Sequence, residues 1–142
     1  MIVEVTFTVI GEPKGKGRPR FVRATGKAIT PRDTVLYENL VRLEYRNQCL
    51  DKKFGDDEML EMEIKAFYRI PSSKSKKVKQ QMKDNIIRPT KKPDMDNVVK
   101  IIADSLNNIA YKDDTQIVSC IVNKYYSESP QVVVTIKSLD GK

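Results

Sequence analysis

The chain has 142 residues, 39% hydrophobic and 32% charged, with a formal net charge of +7, two cysteines and no histidine. That composition belongs to a globular fold and excludes collagenous, low-complexity and disulfide-framework proteins. Without histidine there are no imidazole bases, Ser-His-Asp triads or His-ligated metals, so any chemistry must rest on carboxylates, lysines or a metal held by oxygen.

The length suits one compact domain over residues 1–142. The opening "MIVEVTFTVIGEP" alternates apolar and polar residues, with Val3, Val5, Phe7 and Val9 on one face, which predicts a half-buried strand over residues 2–10. It has neither the basic flank nor the apolar run of a signal peptide or membrane span, and a cytoplasmic protein is expected. "GEPKGKGRPRFVRATGKAITP" is a loop or a loosely paired hairpin, rich in Gly, Pro and basic residues. Within it Phe21 is read as packing, with base stacking the alternative. A first helix then follows, with Thr30 as cap, Pro31 at its first position and Asp33 near its positive end. Its apolar stripe of Leu36, Leu40 and Leu43, with Val41 alongside, runs to about Leu50.

Residues 60–70 alternate again, placing Met62, Ile64, Ala66, Tyr68 and Ile70 on one face of a second strand. The polar and basic stretch between Pro71 and Pro93 reads as a long loop with room for a short helix. A second helix is expected over residues 96–109, burying Val98, Ile101, Ile102, Leu106 and Ile109. "TQIVSCIVNKYY" and "QVVVTIK" then read as an antiparallel hairpin about the turn "SESP". The expected order is β-α-β-α-β-β: an α+β fold with two helices on one face of a small mixed sheet. Cys49 and Cys120 lack metal or redox spacing and read as buried fillers.

Charge is segregated along this chain. Residues 11–32 carry +6 and residues 71–92 carry +7, so the remainder sums to −6. Flexible glycines and several arginines in basic loops suit a polyanion such as a nucleic-acid backbone, against the plainer reading of solvated loops. The candidate phosphate contacts are Lys14, Lys16, Arg18, Arg20 and Arg23 in the first loop, and Lys74, Lys76, Lys77 and Lys79 in the second. A membrane surface fits poorly without an amphipathic basic helix.

Between the two basic loops and the final strands lie five aspartates: Asp94, Asp96, Asp104, Asp113 and Asp114. Asp94 and Asp96 stand two apart after Pro93, where an extended backbone turns both carboxylates the same way. Asp96 also suits an N-cap, and the ladder Asp96, Lys100, Asp104 suits surface salt bridges. If the loop carrying Asp113 and Asp114 returns to the helix start, the converging carboxylates call for a divalent cation, and Mg²⁺ uses one or two carboxylates plus phosphate oxygens. Chemistry alone therefore points to a metal-dependent phosphodiesterase, or to a nucleic-acid-binding module whose acids only cap and solubilise.

"KPDMDNVVKIIADSLNN" followed by "YKDDTQI", with "GEPKGKGRPRF" near the start, resembles the RusA family of Holliday junction resolvases. The resemblance covers about a third of the chain, in the expected order. It implies an intertwined homodimer, widespread in phages and prophages, that uses one or two Mg²⁺ ions per subunit, with Mn²⁺ as a substitute, to cut four-way and related branched DNA by paired symmetric nicks. Its metal-binding acids fall on Asp94, Asp96 and Asp114, with Asp113 a further candidate, and its essential lysine falls on Lys100. Asp104 would then orient Lys100 or support packing. Ser105 and Asn108 stand where family members often have Ala and Gly, and Asn tolerates the left-handed backbone that Gly would supply. The alternative implied alongside is a relative that binds branched DNA without cutting it.

Overall fold

In the computed structural model, residues 3–17 and 20–140 are described, Arg20 by its backbone alone. The elements are β1 (Glu4–Ile10), a short hairpin of β2 (Arg20–Val22) and β3 (Lys27–Ile29), α1 (Arg32–Cys49), β4 (Leu60–Arg69), α2 (Lys76–Lys83), α3 (Met95–Ser105), a 3-10 turn (Asp114–Gln116), β5 (Ile117–Ser127) and β6 (Gln131–Ser138). The class is α+β with a mixed sheet. The second basic stretch holds the short helix it had room for, α2, and the first takes the hairpin form of its two readings, neither of which is counted in the expected β-α-β-α-β-β order. Ser75 starts α2 by accepting the Val78 N–H, and Met82 anchors it, being its buried residue.

The main sheet runs β1-β6-β4-β5, with β4 and β5 parallel and the other neighbours antiparallel. This corrects the expected hairpin of β5 with β6, because β4 lies between them. The reason lies in burial: Leu60, Met62, Ile64, Ala66 and Tyr68 on β4 are all at most 1% exposed, which demands a central position. β5, by contrast, has Val118, Cys120 and Ile121 exposed, as an edge strand tolerates. Cys49 is buried as expected and Cys120, on the edge strand β5, is exposed, which corrects its reading as a buried filler.

α1 turns a different face to the core from the leucine stripe read in the sequence. Tyr37, Val41, Tyr45 and Cys49 are buried, whereas Leu36 and Leu43 are more than half exposed. The aromatic rings win the inner face: Tyr45 packs edge-on against Phe7 at 5.4 Å and donates its hydroxyl to the Lys52 carbonyl at 2.6 Å, so ring and hydroxyl are both satisfied. Pro31, not Thr30, occupies the N-cap position, and no side chain caps this end. Asp33 does sit in the first turn.

α3 buries Val98, Ile101, Ile102 and Leu106 as the spacing predicts, joining one hydrophobic cluster with α1 and the inner faces of β1, β4 and β6. It ends at Ser105, earlier than the expected Ile109, because the chain turns through Asn108 at φ 64° and the Asn108 N–H donates to the Tyr111 carbonyl. Its N-cap position is held by Asp94, not Asp96. No helix among the described residues is long and apolar enough to cross a membrane.

Candidate active site

The site is built around α3 and the strand-like segment that leads into it. Asp94 has extended dihedrals (φ −73°, ψ 161°) and Asp96 follows in the first helical turn, so both carboxylates project from the helix start. The Asn97 side chain donates to Asp94 Oδ1 at 2.8 Å. That bond, with a backbone N–H and smaller contributions from Asp96 and Lys92, holds the Asp94 carboxyl below the usual carboxylate range. The two acids share a shallow concavity with Met95, Val99, Cys120 and Val122.

The segment before Asp94 is clamped by residues distant in sequence. The Tyr68 hydroxyl donates to the Pro93 carbonyl at 2.6 Å, and the Lys124 ammonium donates to the Lys91 carbonyl at 2.7 Å. Burial, with Glu12 and Asp94 nearby, pushes Tyr68 up to about 12, so its phenol stays a donor at neutral pH. Burial also draws Lys124 down, although Asp94 opposes this. On the other side, the Lys16 N–H donates to the Asn97 carbonyl at 3.1 Å. A Cβ on Gly15 would stand 2.9 Å from Pro93 Cβ and 3.1 Å from Asn97 Cβ, so the loop can lie this close only with glycine there.

The other acids gather at the far end of α3. Asp96 and Asp104 are eight residues apart, about 12 Å of helix. Asp114 opens the 3-10 turn and is tied to Asn107, whose side-chain oxygen accepts the Asp114 N–H at 2.8 Å. Partial burial raises the Asp114 pKa, and Asp104 beside it raises it further. Asp113 caps the turn, accepting the Thr115 N–H at 3.1 Å in a capping box completed by Gln116. The structure therefore brings Asp94 together with Asp96, and Asp104 with Asp114. Among the described residues no three Asp, Glu or Cys side chains converge closely enough to hold a metal. The Asp94–Asp96 pair still fits Mg²⁺, which needs only one or two carboxylates when water and phosphate oxygens complete its shell.

Lys100 is exposed one turn beyond Asp96, and among the described residues it forms no ion pair. The partner of Asp104 is instead Lys16, at 3.5 Å, whose ammonium also donates to Glu38 at 2.7 Å. Although burial pulls Lys16 down, these two acids together raise its pKa.

Of the candidate DNA contacts, Lys14 is exposed beside the cleft, and Lys74, Lys76 and Lys77 are exposed in and before α2, with Lys79 half-buried. Arg23 is exposed in the β2–β3 turn, Arg18 lies outside the described residues, and so does the Arg20 side chain. Phe21 is 70% exposed, which corrects the expectation that it packs. Sequence reasoning read Tyr68 only as part of a buried strand face and did not single out Lys124 or Asn107. Asn97 carries the one usable signal, standing next to Asp96 inside the "PDMDN" motif.

A protein of Bacillus subtilis (strain 168), named only as uncharacterized protein YqaN, is 38% identical over 145 residues, covering 96% of this chain and 98% of the relative. The family model for Endodeoxyribonuclease RusA matches residues 11–137, which takes in the glycine-lysine loop, the clamped acidic motif, Lys100 and the Asp113–Asp114 turn. A match of that extent, over the elements that build the site, makes the chain a member of the RusA endodeoxyribonuclease family.

Proposed function

We propose that this endodeoxyribonuclease resolves Holliday junctions and related branched DNA by paired symmetric nicks, acting as a homodimer with Mg²⁺. The reading is carried by one observation: a carboxylate pair, Asp94 and Asp96, held rigidly at the edge of a lysine-lined cleft. Acids placed beside a cationic surface are what phosphodiester hydrolysis requires, whereas acids serving only to cap would need no clamped approach segment.

In this mechanism Asp94 and Asp96 would hold the metal; Asp114, which the family pattern also assigns, stands with Asp104 at the far end of α3 and does not join that pair within the chain. The chemistry a Mg²⁺ ion would supply there is activation of water and neutralisation of phosphate charge. The ammonium of Lys100 stabilises charge developing on the leaving oxygen, and the products are a 5′-phosphate and a 3′-hydroxyl. Asn97 orients Asp94, Tyr68 and Lys124 fix the backbone before it, and the basic faces of α2 and the first loop hold the DNA arms. Two such centres, one per protomer, match the two equivalent strands of a junction.

The test is a synthetic four-way junction and a linear duplex, each incubated with and without Mg²⁺ or Mn²⁺. Symmetric nicks on the junction alone, dependent on the ion, are expected. Tight junction binding with no nick in either metal would favour the non-catalytic alternative and overturn the proposal.

A further inference from the structure

The leucine stripe of α1 is mostly left outside the core. Leu36, Leu43 and Leu50 are each more than half exposed, and Leu40 between them is half-buried. Single surface leucines are ordinary, but a continuous apolar face marks a contact surface. These leucines recur in steps of four, three and seven, and Asn47 fills the open step. Leu36, Leu40, Leu43, Asn47 and Leu50 thus follow the alternation of a coiled-coil seam, with the first, third and fifth at d and the others at a. At 3.6 residues per turn the five fall within an arc of about 80°. Tyr37, Val41, Tyr45 and Cys49, which face the core, lie on the opposite side. α1 therefore has two apolar faces, and the fold of one chain buries only one of them.

The flanks of the outer face differ in sign. Asp33 and Glu44 stand on one side of it, and Arg32 and Arg46 on the other. None of the four forms an ion pair among the described residues. Their charges cancel, so on a chain of net charge +7 this face is locally neutral. It offers DNA little attraction, and a second copy meets least repulsion there. Two such helices packed in parallel about a two-fold axis set the acid flank of each against the arginine flank of the other, whereas an antiparallel pair would set like against like. Parallel packing also lays Asn47 against the same residue of the second copy, and one polar pair at an a position fixes register and oligomer state.

We propose that this face is the seam of the homodimer, with two α1 helices packed in parallel along the two-fold, leucine against leucine. The proposal rests on the dimer of the reading above and adds to it the surface and the symmetry. Asp94, Asp96, Lys100 and the lysines of α2 belong to other elements, so the seam uses none of the groups assigned to DNA or metal.

Sedimentation of the full chain should give a dimer at micromolar concentration, and Leu36→Glu/Leu43→Glu should raise its dissociation constant at least 100-fold. Both leucines lie outside the core, so this variant should keep the wild-type circular dichroism. Direction is read from Leu36→Cys and Leu43→Cys, each combined with Cys120→Ser to remove the other exposed thiol, Cys49 being buried. With diamide as oxidant, each should form a covalent dimer at least tenfold faster than Cys120→Ser alone. An antiparallel pair would cross-link at most one of the two, since only a residue at the centre of such a pair meets its own copy. Cross-linking of one or neither, or a dimer that the glutamates leave intact, would overturn the seam while leaving the homodimer standing. A monomeric wild type would overturn both. Should the glutamates disturb the fold, the cysteine variants decide alone. If the wild type is a dimer that cuts no DNA, the nuclease reading fails, yet the same cross-links still decide the seam.

Discussion

The carboxyl of Asp114 lies against that of Asp104 on the last turn of α3, and the only cation on the pair among the described ion pairs is Lys16, at 3.5 Å from Asp104. Burial and this like-charged neighbour raise the Asp114 pKa, so folding favours its protonated form. The sign follows from linkage: stability falls as pH rises from the ordinary carboxylate pKa through the raised one, and at neutral pH the ionised group is a standing cost. Asp114→Asn should therefore melt at a higher temperature than wild type at pH 7. The gain should shrink toward zero as the pH is lowered through the carboxylate range. A gain independent of pH would place its origin outside this pair.

Lys16 reads in the sequence as a phosphate contact, but in the fold it ties three elements together. Its ammonium meets Glu38 on α1, whose side chain is 11% exposed, and Asp104 on α3. Lys16→Met should leave Glu38 nearly buried and unpaired, at a cost of about 1–3 kcal/mol in denaturant unfolding. The loss of DNA affinity should be smaller than for Lys14→Ala, because the Lys16 charge is already neutralised. The opposite ranking of the two variants in DNA binding would return Lys16 to the phosphate surface.

How far this molecule can be read from its sequence depends on how local each determinant is. The acids after Pro93, the buried stripe of α3 and the alternation of β1 and β4 are set by neighbours within a turn or a strand, and they are legible. The inner face of α1 is not, because leucine and tyrosine compete for it and the outcome depends on Phe7 and the Lys52 carbonyl. The separation of β5 from β6 by β4 is likewise a property of the whole sheet. In the site, the motif names Asp94, Asp96 and Asn97, but the bonds that fix the segment before them come from Tyr68 and Lys124, 25 and 33 positions from their acceptors. Nothing in the local pattern around either residue marks it.

Tyr68→Phe tests that clamp. It removes the donor to Pro93 while keeping the ring in the core, so stability should fall by about 1 kcal/mol. Loosening the backbone next to Asp94 should lower the cleavage rate by about tenfold, with junction affinity unchanged, since misplacement of a reacting group acts on the chemical step. Lys124→Met should behave in the same way and Lys124→Arg should recover part of the rate. A variant that loses stability but cuts at the wild-type rate would make the clamp merely structural.

The basic helix α2 should contribute electrostatics without selectivity. Lys76 and Lys77 are exposed on it, and Lys83 is partly neutralised by Glu128 at 2.9 Å. Lys76→Ala/Lys77→Ala should weaken junction and duplex binding alike, and should flatten the dependence of log K on log salt by about 0.9 for each phosphate that is no longer neutralised. An unchanged slope would move the DNA surface away from α2.

Asp94→Asn, Asp96→Asn and Lys100→Ala separate binding from chemistry. The two acids lie where the phosphate backbone must approach, so in EDTA they repel DNA, and neutralising either should preserve or strengthen junction binding. Cleavage should nevertheless fall by about 100-fold or more, about 2.7 kcal/mol of transition-state stabilisation, because in the proposed mechanism each acid positions the ion. Unfolding is a poor explanation for such a loss: both carboxylates are exposed, and asparagine serves as well as aspartate at the N-cap position of α3. Wild type should also gain thermal stability from added Mg²⁺, as any ligand of the folded state confers, and the two Asn variants should gain less. Lys100→Ala should lose cleavage while keeping the full Mg²⁺ shift, since in the proposed mechanism its ammonium acts on the leaving oxygen and not on the ion. Near wild-type cutting by both Asn variants would place the active centre elsewhere on the chain, with the far acids Asp104 and Asp114 the next to substitute.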